Sequence, residues 1–452
     1  MAPWSTCLIA CEESTETEMT SPELHFPEGF LWGTATSSHQ VEGGNVNNDW
    51  WLWEHDPGHI HDHSRSGAAC EWWCGRAEED VALAARLGQN AHRLSVEWSR
   101  LEPAFGVYDP EAFARYRRLF EHMRALGVEP MVTLHHFTLP RWAAKVGGWT
   151  NRVVVQRFSA LAAQCARRLG DLVTMWCTIN EPVVLVYNAY AGRQWPPGTG
   201  RFDVGLRALR HLLRAHAAAY HAIHDVQPEA QVGMVFNMPL VEPARPGHPL
   251  DRLVAFLQDW VFNEVKVRAL REGRLVWPLA WPAREVVGLR EACDFVGLNY
   301  YGRYLVRFAA EAPGSLFGRH VQEPTVRLGG TDWGQVAPAG LTKHLLRLRP
   351  LGVPLYVTEN GVCDAHDTVR PHFLVEHVRA VHRAIQAGAD VRGYFHWSLV
   401  DNFEWAEGWS ARFGLLALNP FTQERLLRQS AEVYAHICRT NSVPADSASP
   451  EQ

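Results

Sequence analysis

Eight short runs of apolar and β-branched residues recur along the chain, separated by longer stretches, and this alternation limits the possible folds more than any other feature. The runs are FLWGTATS (30–37), AHRLSVEW (91–98), EPMVTLHH (129–136), TMWCTIN (174–180), QVGMVFNM (231–238), DFVGLNYY (294–301), PLYVTEN (354–360) and VRGYFHWSL (391–399). Each has the length of a strand. Between them, AEEDVALAARLG (77–88) and EAFARYRRLFEHMRALG (111–127) place apolar residues at steps of three and four, the spacing of an amphipathic helix. A helix between two strands returns the chain to the same end of the sheet, so the strands pair in parallel with right-handed crossovers. Eight such units close into a single (β/α)8 barrel of the α/β class. The helix after the sixth run is the least defined, because Gly and Pro crowd residues 313 to 340. No Pro-, Gly- or Ser-rich linker divides the chain. Residues 23–440 are expected to form one domain with loop insertions, residues 1–22 a disordered extension and residues 441–452 a disordered tail.

Composition narrows the function. The 452 residues are 47% hydrophobic, ample for a large core, and the net charge of −6 comes without a long basic run, which argues against nucleic acid as a partner. No apolar run reaches the roughly 18 residues of a membrane span. Nine cysteines are an odd number with no disulfide-scaffold spacing, which points to reduced thiols in a cytoplasmic protein. CEWWC (70–74) lacks a matching second pair, so no zinc site is expected. LIAC (8–11) has the form of a lipoprotein cleavage box, but no Lys or Arg precedes it and its apolar stretch is too short for a signal peptide.

In a barrel of this kind the chemistry lies at the C-terminal ends of the strands. Glu359 ends the seventh run, and Glu181, in TINEPVV, follows the fourth. Two carboxyl groups on one rim can flank a glycosidic bond, one protonating the leaving oxygen and the other supporting an oxocarbenium-like centre. Their environments must then push the two pKa values apart, and the residues alone leave open which takes which part. Other strand ends carry Gln40, Arg93, His135, His136, Asn299, Tyr300, Tyr301, Trp397, Glu404 and Trp405. This mixture of hydrogen-bonding groups and rings suits a pyranose, which presents hydroxyls at its edge and C–H groups on its faces. A metal pair at His135–His136 is not expected, because neighbouring strand residues face opposite ways. Asp401 reads as a structural partner. Phe413 either walls the pocket or packs, and Trp72 and Trp73 either cover the mouth or lie beneath it.

FPEGFLWGTATSSHQVEG, TINEP, GLNYY, YVTENG and WSLVDNFEWAEGWSARFG together resemble the signatures of glycoside hydrolase family 1, in the family's order from about Phe26 to Arg439. The resemblance implies a retaining β-glucosidase, β-galactosidase or relative. Glu359 then matches the nucleophile and Glu181 the acid/base, about 5 Å apart as double displacement requires. Arg93 and Tyr301 match groups that keep Glu359 ionised. Asn180 matches the partner of the sugar 2-hydroxyl, while Gln40, His136, Asn180, Glu404 and Trp405 match the sugar-gripping pocket, with Trp397 as its floor. Asn299 and Phe413 complete the candidate substrate-binding residues. The expected activity is exo-acting hydrolysis of a small β-glycoside or oligosaccharide, with glucose, galactose and fucose all open as the terminal sugar. Glu404 stands where members acting on 6-phosphoglycosides carry Ser with a nearby Lys, so the sugar is expected to be unphosphorylated. Two carboxylates need neither metal nor organic cofactor. Phe137 and Thr138 depart from the Trp and Asp common at those positions, and region 362–390 is short, which predicts a wide mouth. The alternatives are an endo-acting barrel glycosidase and a non-catalytic sugar-binding protein.

Overall fold

The structure, a computed structural model, describes residues 22–290, 292–322 and 333–445; the cleavage-box motif lies outside them. Eight strands form a closed barrel: β1 (Leu31–Ala35), β2 (Ala91–Ser95), β3 (Glu129–His135), β4 (Met175–Asn180), β5 (Gln231–Asn237), β6 (Phe295–Tyr300), β7 (Leu355–Asn360) and β8 (Val391–Trp397). Neighbours are parallel throughout, and β8 pairs with β1 to complete the circle. Every predicted run contains its strand, trimmed by one to three residues in all.

Alternation along the strands sorts side chains between two cores. Ala35, Ala91, Met131, Met175, Cys177, Val235, Phe295 and Phe395 fill the barrel interior. Leu94, Val132, Trp176, Phe236 and Leu298 belong to the larger core between strands and helices. The helices follow their apolar spacing. Pro110–Ala125 starts at Asp109, whose Oδ1 accepts from the Glu111 amide at 2.8 Å, and buries Phe113, Tyr116, Phe120 and Met123. That cap and a proline in the first turn mark the helix start. No helix among the described residues is long and apolar enough to cross a membrane.

Three ladders slip register near the catalytic end: β4–β5 between Cys177 and Asn180, β6–β7 between Leu298 and Asn299, and β7–β8 between Val357 and Asn360. Such irregularities re-aim side chains beside active sites. Here they fall on the strand ends that carry Asn180, Asn299 and Glu359.

The ill-defined region after β6 contains a hairpin before its helix. Arg303–Phe308 pairs antiparallel with Gly318–Val321 and parallel with Leu240–Pro243, outside the barrel, and the helix Pro338–Leu348 follows. The expected tail needs correction. Ser442–Pro444 pairs antiparallel with Glu23–His25, and the Ala445 amide donates to the Pro22 carbonyl at 2.7 Å. Asn441 fixes the junction: its Oδ1 accepts from Trp32 Nε1 and its Nδ2 donates to the Phe26 carbonyl, both at 2.9 Å. The folded unit therefore runs past residue 440, because the short polar segment pairs with a strand distant in sequence.

Candidate active site

A cavity of about 1030 Å³ opens at the C-terminal rim, lined deep inside by His136, Asn180, Glu181, Tyr301, Glu359, Trp397, Glu404 and Trp405. Gly361 allows β7 and β8 to meet beneath it. A Cβ there would stand 2.0 Å from the Trp397 carbonyl oxygen, so only glycine fits after Glu359 and Asn360. Asn360 ties the strands together, donating to the Tyr300 carbonyl at 2.5 Å and accepting from the Tyr394 hydroxyl at 2.7 Å.

Glu359 is 3% exposed. Arg93 NH1 donates to its Oε1 at 2.6 Å and the Tyr301 hydroxyl to its Oε2 at 2.6 Å. Burial pushes its pKa up, and the guanidinium and the phenol pull it back. Arg93 also donates to Asn180 Oδ1 at 2.7 Å, so one guanidinium sets both residues.

Glu181 is buried, and no cation among the described residues touches it. Asn299 Nδ2 donates to its Oε1 at 2.6 Å and Asn237 Nδ2 to the same oxygen at 3.1 Å. Burial, and then the negative charge of Glu359, raise it to about 8. Its backbone is left-handed, φ 45° and ψ 59°, and Pro182 opens a short helix directly after it. Non-glycine residues held in that region cost about 1 kcal/mol or more and cluster at functional sites. Asn299 also lowers the pKa of Glu359, so the same side chain acts on both acids.

On the other side of the cavity the His136 ring stacks between Trp397 and Trp405, with centroids 5.9 Å from each. Its Nε2 meets Asn180 Nδ2 at 3.1 Å, its Nδ1 has no partner among the described residues, and burial holds the ring neutral. Glu404 Oε2 accepts from Gln40 Nε2 at 3.1 Å, and burial raises this carboxyl to about 8. The arrangement offers a carboxyl paired with a guanidinium and a phenol, two carboxyls that burial raises to about 8, and a set of neutral hydrogen-bonding groups between aromatic rings.

Residues 23–443 match the sequence profile of Glycosyl hydrolase family 1. The chain belongs to this family. Beta-glucosidase A of Thermotoga maritima is 32% identical to it, over 92% of this chain and 98% of its own. A beta-galactosidase of Sulfolobus acidocaldarius is 33% identical, over 94% and 97%. Among solved structures, the beta-glycosidase from Pyrococcus horikoshii superposes with a TM-score of 0.86 at 37% identity, covering 94% of this chain and 97% of that one. The protein is a glycoside hydrolase with the (β/α)8 barrel of its relatives.

Several candidate residues of this family 1 enzyme stand one layer behind the cavity wall. Arg93 reaches it through Glu359, Asn299 through Glu181 and Gln40 through Glu404. Phe413 packs edge-on against Trp333 and Tyr301, at 5.0 and 6.1 Å between centroids. His135 accepts from Trp149 Nε1 at 3.1 Å and packs. Asp401 accepts from both Arg428 nitrogens at 2.8 Å. Trp72 donates to Asp80 and Trp73 lies under Arg100, both away from the cavity. Thr138 donates to Glu97, and Phe137 packs on Trp195 and Trp405. Sequence reasoning missed Asn237, at the end of β5, and the outer wall of Tyr187, Trp195, Phe202, Phe262 and Trp333. Asn237 occupies a strand-end position, the one signal that could have found it.

Proposed function

We propose that the enzyme is an exo-acting retaining β-glycosidase that removes a terminal unphosphorylated β-D-glucose, and with it galactose or fucose, by double displacement. Glu359 attacks the anomeric carbon while Glu181 gives its proton to the leaving oxygen. Glu181, now anionic, then takes a proton from the water that opens the glycosyl ester on Glu359. The observation carrying this reading is the opposed setting of the two acids. Glu359 has a guanidinium and a phenol holding its charge, whereas Glu181 has only amides and is raised to about 8. That is the division between nucleophile and acid. Both carboxyls line one cavity and Asn299 acts on each of them, the closeness a retaining pair needs.

His136, Asn180, Glu404 and Trp405 are assigned to the sugar hydroxyls and Trp397 to the ring face. Gln40 acts behind Glu404, and Phe413 supports Tyr301. Glu404 and Trp405 close the inner end, which favours release of single sugars over cutting within a chain. Among the described residues no cation is a hydrogen-bond partner of Glu404, so a 6-phosphate would be buried uncompensated. The buried, unpaired thiols of Cys70, Cys165, Cys177 and Cys438 suit a cytoplasmic enzyme. Replacing Glu359 by Gln tests the assignment: turnover of a nitrophenyl β-glucoside should fall by about a thousandfold or more while the sugar still binds. Turnover at the parent rate would remove Glu359 from the chemistry. A panel of nitrophenyl β-glycosides differing only in the sugar identifies the preferred substrate.

A further inference from the structure

Lys266 is 1% exposed, yet no carboxylate among the described residues touches it. It follows the π-helical turn Trp260–Glu264 at the start of the helix Val265–Glu272. Its ammonium donates to the Asn237 carbonyl at 2.8 Å and to the Phe262 carbonyl, and it stands 5.5 Å over the Phe236 ring. Lysines are almost never fully buried unless paired, so this placement needs a reason beyond packing. Asn237 supplies it, because the side chain of the same residue donates to Glu181 Oε1.

We propose that Lys266 is a positioning residue for Glu181: through Asn237 it fixes the carboxyl in place, and its positive charge favours the anionic carboxylate needed in the second half of the reaction. This rests on reading Glu181 as the acid/base. During the first half, the charge of Glu359 opposes ionisation of Glu181. Once Glu359 is esterified that charge is gone, and the ammonium behind Asn237 helps Glu181 stay ionised and accept the proton of the incoming water.

The charged surroundings agree. Around Lys266, Arg347 opposes its charge, while Glu181 and Asp259 favour it. Arg347 is itself paired with Asp259 at 2.8 Å and Glu264 at 2.7 Å. The neighbouring His344 is buried and lowered to about 3, hence neutral. Around Glu181 stand Glu359 and Arg93, and Tyr301 and Glu404 also feel its charge. Burial brings Lys266 down to about 7, so it carries its charge on the acid side of neutrality, where a base is hardest to keep ionised.

A dinitrophenyl β-glycoside tests this, because its leaving group needs no proton and its kcat reports the opening of the glycosyl-enzyme. Lys266→Gln keeps a donor toward the carbonyls and removes the charge; Lys266→Met removes both. The acid limb of kcat should move up by about one pH unit in either variant, an order of magnitude in rate below both limbs. The kcat/KM for the same substrate, set by attack of Glu359, should change less than about twofold, since Lys266 does not touch that carboxylate. A structural disturbance would instead lower both quantities together. Folded variants whose acid limb stays at the parent pH overturn the proposal, as does failure of both variants to fold, which would make Lys266 purely structural. Glu181→Ala separates the two readings. Loss of turnover restored by azide, which can open the glycosyl ester without a base, keeps Glu181 as acid/base whatever Lys266 does. An unaffected Glu181→Ala enzyme removes the reading itself.

Discussion

Tyr301→Phe removes one oxygen from the site and little else. The phenol donates to Glu359 Oε2 at 2.6 Å, inside a pocket where Glu359 is 3% exposed, while the ring packs edge-on against Phe413. The substituted ring keeps that packing. A hydrogen bond to a charged, buried acceptor contributes about 1.5–3 kcal/mol, and about 1.4 kcal/mol corresponds to one pH unit. Arg93 remains on Oε1, so the carboxylate stays paired and the lower part of that range applies. The phenol favours the ionised form, so its loss raises the Glu359 pKa by about one unit. In a kcat/KM profile on a nitrophenyl β-glucoside the acid limb should therefore move about one pH unit upward. Below both limbs the rate should drop about tenfold. The two acids titrate as a coupled pair, and the acid limb reports the lower of their two macroscopic values. An acid limb that stays in place in a folded variant would refute the reasoning, because the group lost at low pH could not then be the one Tyr301 holds.

Three other outcomes follow from the geometry. Asp401→Ala should lower stability by about 3–5 kcal/mol, because it removes a buried carboxylate that pairs with Arg428 and accepts from the Gly414 amide; denaturant unfolding checks this, with kcat per folded molecule unchanged. His92, His135, His377 and His396 are buried and lowered to about 3. The unfolded chain binds their protons first, so stability should be full above about pH 6.5 and fall toward pH 3. The slope is about 1.4 kcal/mol per pH unit for each histidine, and urea midpoints at pH 7.5, 6 and 5 measure it. A 6-phospho-β-glucoside should be hydrolysed with kcat/KM at least about a hundredfold below that of the unphosphorylated glucoside, more than about 2.7 kcal/mol of lost binding; equal values would sink the role given to Glu404.

The barrel was legible because strand and helix have different periods, and eight alternations of them have few closed solutions. Glu359, Arg93 and Asn180 were legible because a strand end fixes where a side chain goes. Loop residues carry no such rule. The wall of Tyr187, Trp195 and Phe262 comes from π-helical turns and connections whose course tertiary packing sets, and nothing in their spacing announces it. Lys266 was hidden for a related reason: a lysine in an amphipathic segment reads as solvent-facing, and only the fold reveals the carbonyls around it. The hairpin after β6 was missed where glycine and proline erased both periods. The strand at Ser442–Pro444 was missed because its partner lies at the other end of the folded unit.

That last pairing has a practical consequence. With Pro22 and Ala445 joined by a hydrogen bond at 2.7 Å, a linker of a few residues could fuse the two positions into a continuous loop. The chain could then be opened at an exposed connection elsewhere on the barrel, and a circularly permuted enzyme should keep the same arrangement of strands.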